Sequence, residues 1–177
     1  KDGAKEGHRS MEPEPVDAAL LGEDFKNLTL THHMMRLFGF IHFTQVEAQM
    51  LTARTKGWFG ATMKMVFSWL FDIPWMMKSR IARRLCTGCA GVARLRLSMN
   101  DRDMPLWLNS PMEELITDES GRVVGAVVNK HGTQVRVQAR KGVVLASGGF
   151  EHNQQLREKY LPKPTNKDWS AGVSTNT

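Results

Sequence analysis

The sequence predicts a mixed α/β fold, and three observations carry that reading. An almost wholly apolar run at 142–146 passes through Ser147, Gly148 and Gly149 into a helix-forming stretch at 153–160. Short β-rich runs at 106–108, 112–117, 123–128, 135–139 and 143–146 alternate with turn-forming residues at 118–121 and 130–132. Ahead of them, Ile81, Leu85, Val92, Leu95 and Leu97 recur at roughly helical spacing, with Arg80, Arg83, Arg84, Arg94 and Arg96 on other faces.

Taken in chain order, residues 1–17 mix charge with Gly3, Gly7, Pro13 and Pro15, show no apolar periodicity, and read as loop over the surface of something larger. Apolar residues recur irregularly to about Leu51, with a helix predicted over 44–54 and Gly57 and Gly60 as punctuation. Residues 61–77 are the most apolar stretch, and Pro74 is expected to end or kink a helix there. Residues 79–100 read as one long amphipathic helix weakened by Gly88 and Gly91. Residues 105–146 form a β-meander returning into a final strand, 142–146, whose continuous apolarity suits burial on both faces of a sheet. Strand, glycine pair and helix is the layout that brings backbone close to a ligand at the carboxyl end of a sheet. The division that follows is 1–60 as loop and helical segment, 61–104 as helical segment, and 105–177 as meander, returning strand and helix.

Composition narrows the class without naming a function. With 177 residues, 41% hydrophobic and 24% charged, the chain is too apolar for a disordered tail. Its 24 Lys and Arg against 18 Asp and Glu give a net charge of +6, which suits an acidic ligand, a phosphate or a membrane surface without choosing among them. Two cysteines make no disulfide framework, so a reducing, cytoplasmic setting is expected. A membrane span needs an uninterrupted run of about 18 apolar residues, and Lys64 and Asp72 interrupt the greasiest stretch. The start at Lys1 without Met or an apolar leader, and the polar end at Thr177, lead us to expect an internal piece of a longer protein.

Each motif has a functional and a plain reading. Cys86 and Cys89 have the spacing of a redox dithiol or half a zinc site, but no second such pair exists and no histidine stands at ligand spacing. We read them as two ordinary helical thiols that do not open a helix after a strand, and expect no metal. The arginine-rich face at 80–102 lacks interleaved aromatics and reads as a solvated helix face, with no nucleic acid expected. Met63, Met65, Phe67, Trp69, Phe71, Trp75, Met76 and Met77 could make a substrate funnel or membrane-dipping surface; core packing is the reading taken. His32 and His33 have no partner carboxylate assignable from spacing. No GxGxxG occurs.

Specific segments then carry a resemblance. Asp72-Ile-Pro-Trp75, Ala93-Arg-Leu-Arg-Leu-Ser98, Pro105-Leu-Trp-Leu108, Gly121-Arg-Val-Val-Gly-Ala126, Lys141-Gly-Val-Val-Leu-Ala-Ser-Gly-Gly-Phe150, Glu151-His-Asn153 and Tyr160-Leu-Pro162 resemble the FAD-dependent oxidoreductases of the fumarate reductase and 3-ketosteroid dehydrogenase superfamily. Arg9-Ser-Met-Glu-Pro13, Trp169-Ser-Ala-Gly172 and Asn176-Thr177 are similar to the 3-ketosteroid dehydrogenase branch.

The resemblance implies part of a Rossmann-like FAD-binding domain, incomplete on its own, with FAD as cofactor and an apolar ketone as substrate. The dinucleotide-binding βαβ unit and most of the catalytic cap would lie in missing amino- and carboxyl-terminal parts of the same enzyme. It implies hydride transfer between FAD and a carbon–carbon bond next to a carbonyl. By motif position it places Ala146, Ser147 and Gly148 near the adenine or ribose end of FAD and Met112 where the chain passes the adenine. Tyr160 does not stand at a catalytic tyrosine's motif position, and neither His8 nor Arg9 gains a local role, so no catalytic residue is assigned. The alternatives are a fumarate-reductase-like flavoprotein acting on a dicarboxylate and a non-enzymatic basic module binding anionic membrane or nucleic acid. Membrane association has no support of its own in the sequence.

Overall fold

The computed structural model describes residues 11–170, which fall into two units divided between Leu106 and Trp107. In the first unit, β1 (Val16–Asp17) pairs antiparallel with β2 (Arg84–Leu85), and the two bring Val16 and Leu85 into the core. This corrects the reading of Val16 and Asp17 as surface loop. A 3₁₀ stretch, Ala18–Asn27, follows β1 and turns at Gly22, whose φ of 55° suits glycine. No periodicity announced it.

Helix α1 (Gln45–Ala53) lies where the spacing predicts one. Thr44 and Glu47 start it as a reciprocal capping box, with the Glu47 amide donating to Thr44 Oγ1 at 3.2 Å and the Thr44 amide donating to Glu47 Oε2 at 2.8 Å. Helix α2 (Trp58–Leu70) runs straight through Gly60, so of the two glycines only Gly57, at φ 91°, separates the helices. Pro74 ends nothing: α2 stops before it, and the proline sits in the first turn of the short α3 (Ile73–Met76), where its missing N–H has no intrahelical partner to lose.

The Met and aromatic stretch divides between core and surface, which corrects the reading of it as core. Met65 and Trp75 are buried, and Trp75 Nε1 donates to the Ile81 carbonyl at 2.8 Å. Phe67, Phe71 and Met77 face solvent, with Phe67 and Phe71 stacked at 5.9 Å. A helix has only one face for its core, and α2 is apolar on both.

The single helix expected over 79–100 is not formed. Helix α4 covers Thr87–Asn100. Ahead of it the backbone is engaged elsewhere: the Ala82 amide donates to Phe40 O at 2.9 Å, and Arg83 O accepts from Ala18 at 2.8 Å. Groups bonded across the fold cannot also close i to i−4 rings. Small residues on α4, Cys89, Ala90 and Ala93, let it pack against Val16, Ala18, Leu21, Trp75 and Leu85. A second cluster gathers Ile41, Met65 and Ala82.

The second unit holds the meander. Strands β3 (Met112–Thr117), β4 (Val123–Lys130) and β5 (Thr133–Gln138) pair antiparallel in the order β3-β4-β5. β3 has the bounds the sequence predicts. Asp118 shapes the first turn, its Oδ1 accepting from the amides of Ser120 and Arg122 at 3.0 Å each. The middle strand is the buried one, at Gly125, Ala126 and Val127. Residues 106–108 form no strand. α5 (Gln154–Tyr160) starts at Asn153, whose Oδ1 accepts from the Leu156 amide at 3.0 Å. Among the described residues no helix is long and apolar enough to cross a membrane.

Candidate functional site

The chain leaves the meander where the Ala139 amide donates to Val124 O at 2.8 Å. The strand expected at 142–146 is not formed: no backbone hydrogen bond joins residues 142–149 to any other described residue. Val144 is 91% exposed and Leu145 58%. A strand exists only beside a hydrogen-bonded neighbour, and among the described residues this segment takes none: β3 and β5 each pair with β4 alone, and the segment joins the outer edge of neither. The result is a run of amides and carbonyls with no backbone partner among the described residues, flanked by exposed apolar side chains, a template for another strand or for a ligand that takes backbone hydrogen bonds.

The two glycines differ in what they supply. Gly148 has φ 79°, a conformation side chains rarely adopt, whereas a Cβ on Gly149 would meet only the mobile carboxylate end of Glu151, at 2.9 Å, which can move aside. Ala146, Ser147 and Gly148 are therefore presented together on one exposed segment leading toward α5. α5 is anchored to the loop after it, with Arg157 Nε donating to Thr165 Oγ1 at 3.0 Å and Gln154 Nε2 to Thr165 O at 3.1 Å.

Met112 lies elsewhere on this unit. It opens β3 opposite Val128, half exposed, whereas β5 ends opposite Gly125, at the other end of the shared strand. No hydrogen bond joins Met112 to Ala146, Ser147 or Gly148. Tyr160 is exposed at the end of α5, with its ring 6.0 Å from that of Phe150. His32 caps a 3₁₀ turn by accepting from the Met34 amide at 3.3 Å, and its ring lies 4.2 Å from that of His33. His8, Arg9 and residues 171–177 lie outside the described residues.

The cysteine pair is placed differently from its sequence reading. Cys86 does open a helix directly after a strand, as the residue before α4. Both thiols are free and buried. Burial pushes the Cys86 thiol up to about 11, with Glu47, Glu12 and Cys89 adding to the rise and Arg84 opposing it. The thiolate that redox or metal chemistry needs is thus disfavoured. Cys89 Sγ lies 3.1 Å from both the amide and the hydroxyl of Thr31. No group of three or more His, Cys, Asp or Glu among the described residues could hold a metal ion.

Arg80, Arg83, Arg84, Arg94 and Arg102 are exposed, in keeping with the solvated reading, and Arg96 is half-buried; they do not lie on one helix, since α4 begins only at Thr87, and most have carboxylate partners. Arg83 pairs with Asp72 and Asp17, Arg84 with Glu47, Arg94 with Glu14, and Arg96 with Asp24 at 2.9 Å. Arg94 also donates to the carbonyls of Glu14 and Pro15. Sequence reasoning missed these partners because every one is distant in the chain. The reading of a basic module for nucleic acid or anionic membrane finds no support: guanidinium groups already held by carboxylates are poorly placed to neutralise phosphates.

Comparison with known proteins places this geometry. The family model described as FAD binding domain matches residues 2–177. The chain is 37% identical over 171 residues to a 3-oxosteroid 1-dehydrogenase of Comamonas testosteroni, covering 93% of this chain and 29% of that protein. It is similar, with a TM-score of 0.92 and 46% identity, to the crystal structure of a 3-ketosteroid delta1-dehydrogenase from Sterolibacterium denitrificans in complex with 1,4-androstadiene-3,17-dione, over 98% of this chain and 32% of that one. A fumarate reductase-type relative from Shewanella frigidimarina is 34% identical over 77 residues, 44% of this chain and 13% of the relative. The chain thus spans about three tenths of the length of the steroid dehydrogenases it matches.

Proposed function

The chain belongs to the FAD-binding domain family, and from that premise we propose that it serves a flavin-dependent dehydrogenase acting on a 3-ketosteroid or similar apolar ketone. The observation that carries the proposal is likeness along nearly the whole chain to steroid dehydrogenases, whereas the fumarate reductase-type relative matches less than half of it.

The residues present fit the cofactor. The backbone at Ala146, Ser147 and Gly148, exposed and without a backbone hydrogen bond to the other described residues, can accept from or donate to an adenine or ribose, and Gly148 supplies the φ of 79° that the turn there requires. In this proposal Met112 adds close apolar packing to the adenine. FAD, when bound, supplies a two-electron acceptor for a hydride leaving the carbon next to the ketone's α-carbon. This chain's residues contribute binding and orientation. The proton lost from the α-carbon goes to a base that is not assigned to this chain, since its single tyrosine, Tyr160, stands exposed at the end of α5 and not at a catalytic tyrosine's motif position. Val144 and Leu145 are then expected to be covered by further strands in the whole enzyme, the remainder of which is this segment's partner. Free, buried thiols accord with a cytoplasmic setting.

The test is to supply the full-length, FAD-loaded protein with androst-4-ene-3,17-dione and an artificial electron acceptor. The proposal expects a 1,2-desaturated product and no turnover of fumarate with a reduced donor. Fumarate reduction without steroid oxidation would contradict it.

A further inference from the structure

A cavity of about 500 Å³ lies among residues of the first unit alone. Ile41, Met50, Met65, Trp69, Trp75 and Ala82 give it apolar walls. That volume is of the size that takes a small organic molecule. Most charged groups around it are engaged: Arg84 holds Glu47, and Arg83 bridges Asp72 at 3.2 Å and Asp17 at 3.4 Å.

Three lining groups are not. His42 is only 3% exposed, and its Nε2 is buried without a hydrogen-bond partner. Lys64 and Ser68 stand one turn apart on α2, both at the exposed mouth of the cavity, and neither side chain makes a hydrogen bond or ion pair with any described residue. Burial, aided by the Arg36 cation, depresses the His42 imidazole to about 4, so it is neutral and keeps one N–H to give. A buried polar atom left unpaired costs free energy that a ligand atom can offset. A lone cation, a hydroxyl and a neutral imidazole beside two tryptophans select an apolar molecule with one negative end.

We propose that this cavity binds an amphipathic monocarboxylic acid, its apolar body against Met50, Met65, Trp69 and Trp75. The carboxylate meets the Lys64 ammonium, the Ser68 hydroxyl and the His42 Nε2–H. The site does not depend on flavin chemistry, so it stands or falls apart from the proposed dehydrogenase activity.

Isothermal titration calorimetry of the full-length protein, with octanoate and octanamide as probes, tests it. Octanoate is expected to saturate one site and octanamide to bind more weakly. Lys64→Met should weaken octanoate about tenfold, the loss of one charged hydrogen bond, while leaving octanamide unchanged. Ser68→Phe, at an exposed position that fills the cavity, should abolish both. No saturable heat with octanoate would overturn the proposal. So would octanamide binding as tightly as octanoate, or octanoate binding untouched by both substitutions.

Discussion

Arg84 Nη1 stands 3.0 Å from both carboxylate oxygens of Glu47, tying β2 to the first turn of α1. Glu47 thereby serves as helix cap and ion-pair partner at once. Burial pushes its carboxyl up, but the Thr44 amide and Arg84 outweigh it and hold it below the usual value. A depressed folded value means stability that is fully present above the unfolded pKa of about 4.3 and lost as pH falls through the folded one. Glu47→Gln is expected to cost roughly 1–2 kcal/mol near neutrality. Chemical denaturation of both proteins across pH should show that difference shrinking below about pH 4; a constant difference would contradict the assignment.

Cys86 and Cys89 are expected to react with a thiol reagent only as fast as the protein opens. Both are buried, and Cys86 is neutral throughout the ordinary pH range. Labelling at pH 8 should be slow in the folded protein and immediate in denaturant. Rapid labelling of the folded protein would place a thiolate at the surface.

Two glycines are expected to respond in opposite ways to alanine. A Cβ on Gly125 would stand 2.3 Å from the Val137 carbonyl oxygen, so Gly125→Ala should cost about 1–3 kcal/mol through forced displacement of β5. Gly60 lies inside α2 with nothing within 4 Å, so Gly60→Ala should stabilise by up to about 1 kcal/mol. Denaturation midpoints of the two variants read both effects.

Local signals in the sequence located the elements that local chemistry builds. β3 and its turn at Asp118 follow from a β-rich run and the turn-forming residues after it, α1 from apolar recurrence over 44–54, and α5 from the helix-forming stretch at 153–160; the caps at Thr44, Glu47 and Asn153 then fix where the helices begin. Elements that depend on distant partners were not legible. Residues 79–100 have a helical period, yet their first third is claimed by Phe40 O and by pairing with Val16–Asp17. Arginines that look solvated in a helical projection find carboxylates such as Asp24, 72 residues away from Arg96.

The candidate site shows the same limit from the other side. Apolarity at 142–146 predicts a buried strand, while among the described residues the segment pairs with no strand and Val144 is exposed. The glycine pair was legible because the requirement at Gly148 is local: the turn there needs its φ of 79°. The cavity around His42 was not, since His42, ahead of α1, comes together with Lys64 of α2 and Trp75 of α3 only through tertiary packing.

The account turns on the backbone of Ala146, Ser147 and Gly148 as a contact for FAD. Equilibrium titration of FAD into flavin-stripped full-length protein, wild type against Gly148→Val, tests this directly. The account predicts stoichiometric uptake by the wild type and a loss of about a hundredfold or more in affinity for the variant, whose side chain would be forced into the left-handed region at the contact. A wild-type protein that takes up no FAD, or a folded variant that binds it as tightly as wild type, would contradict it.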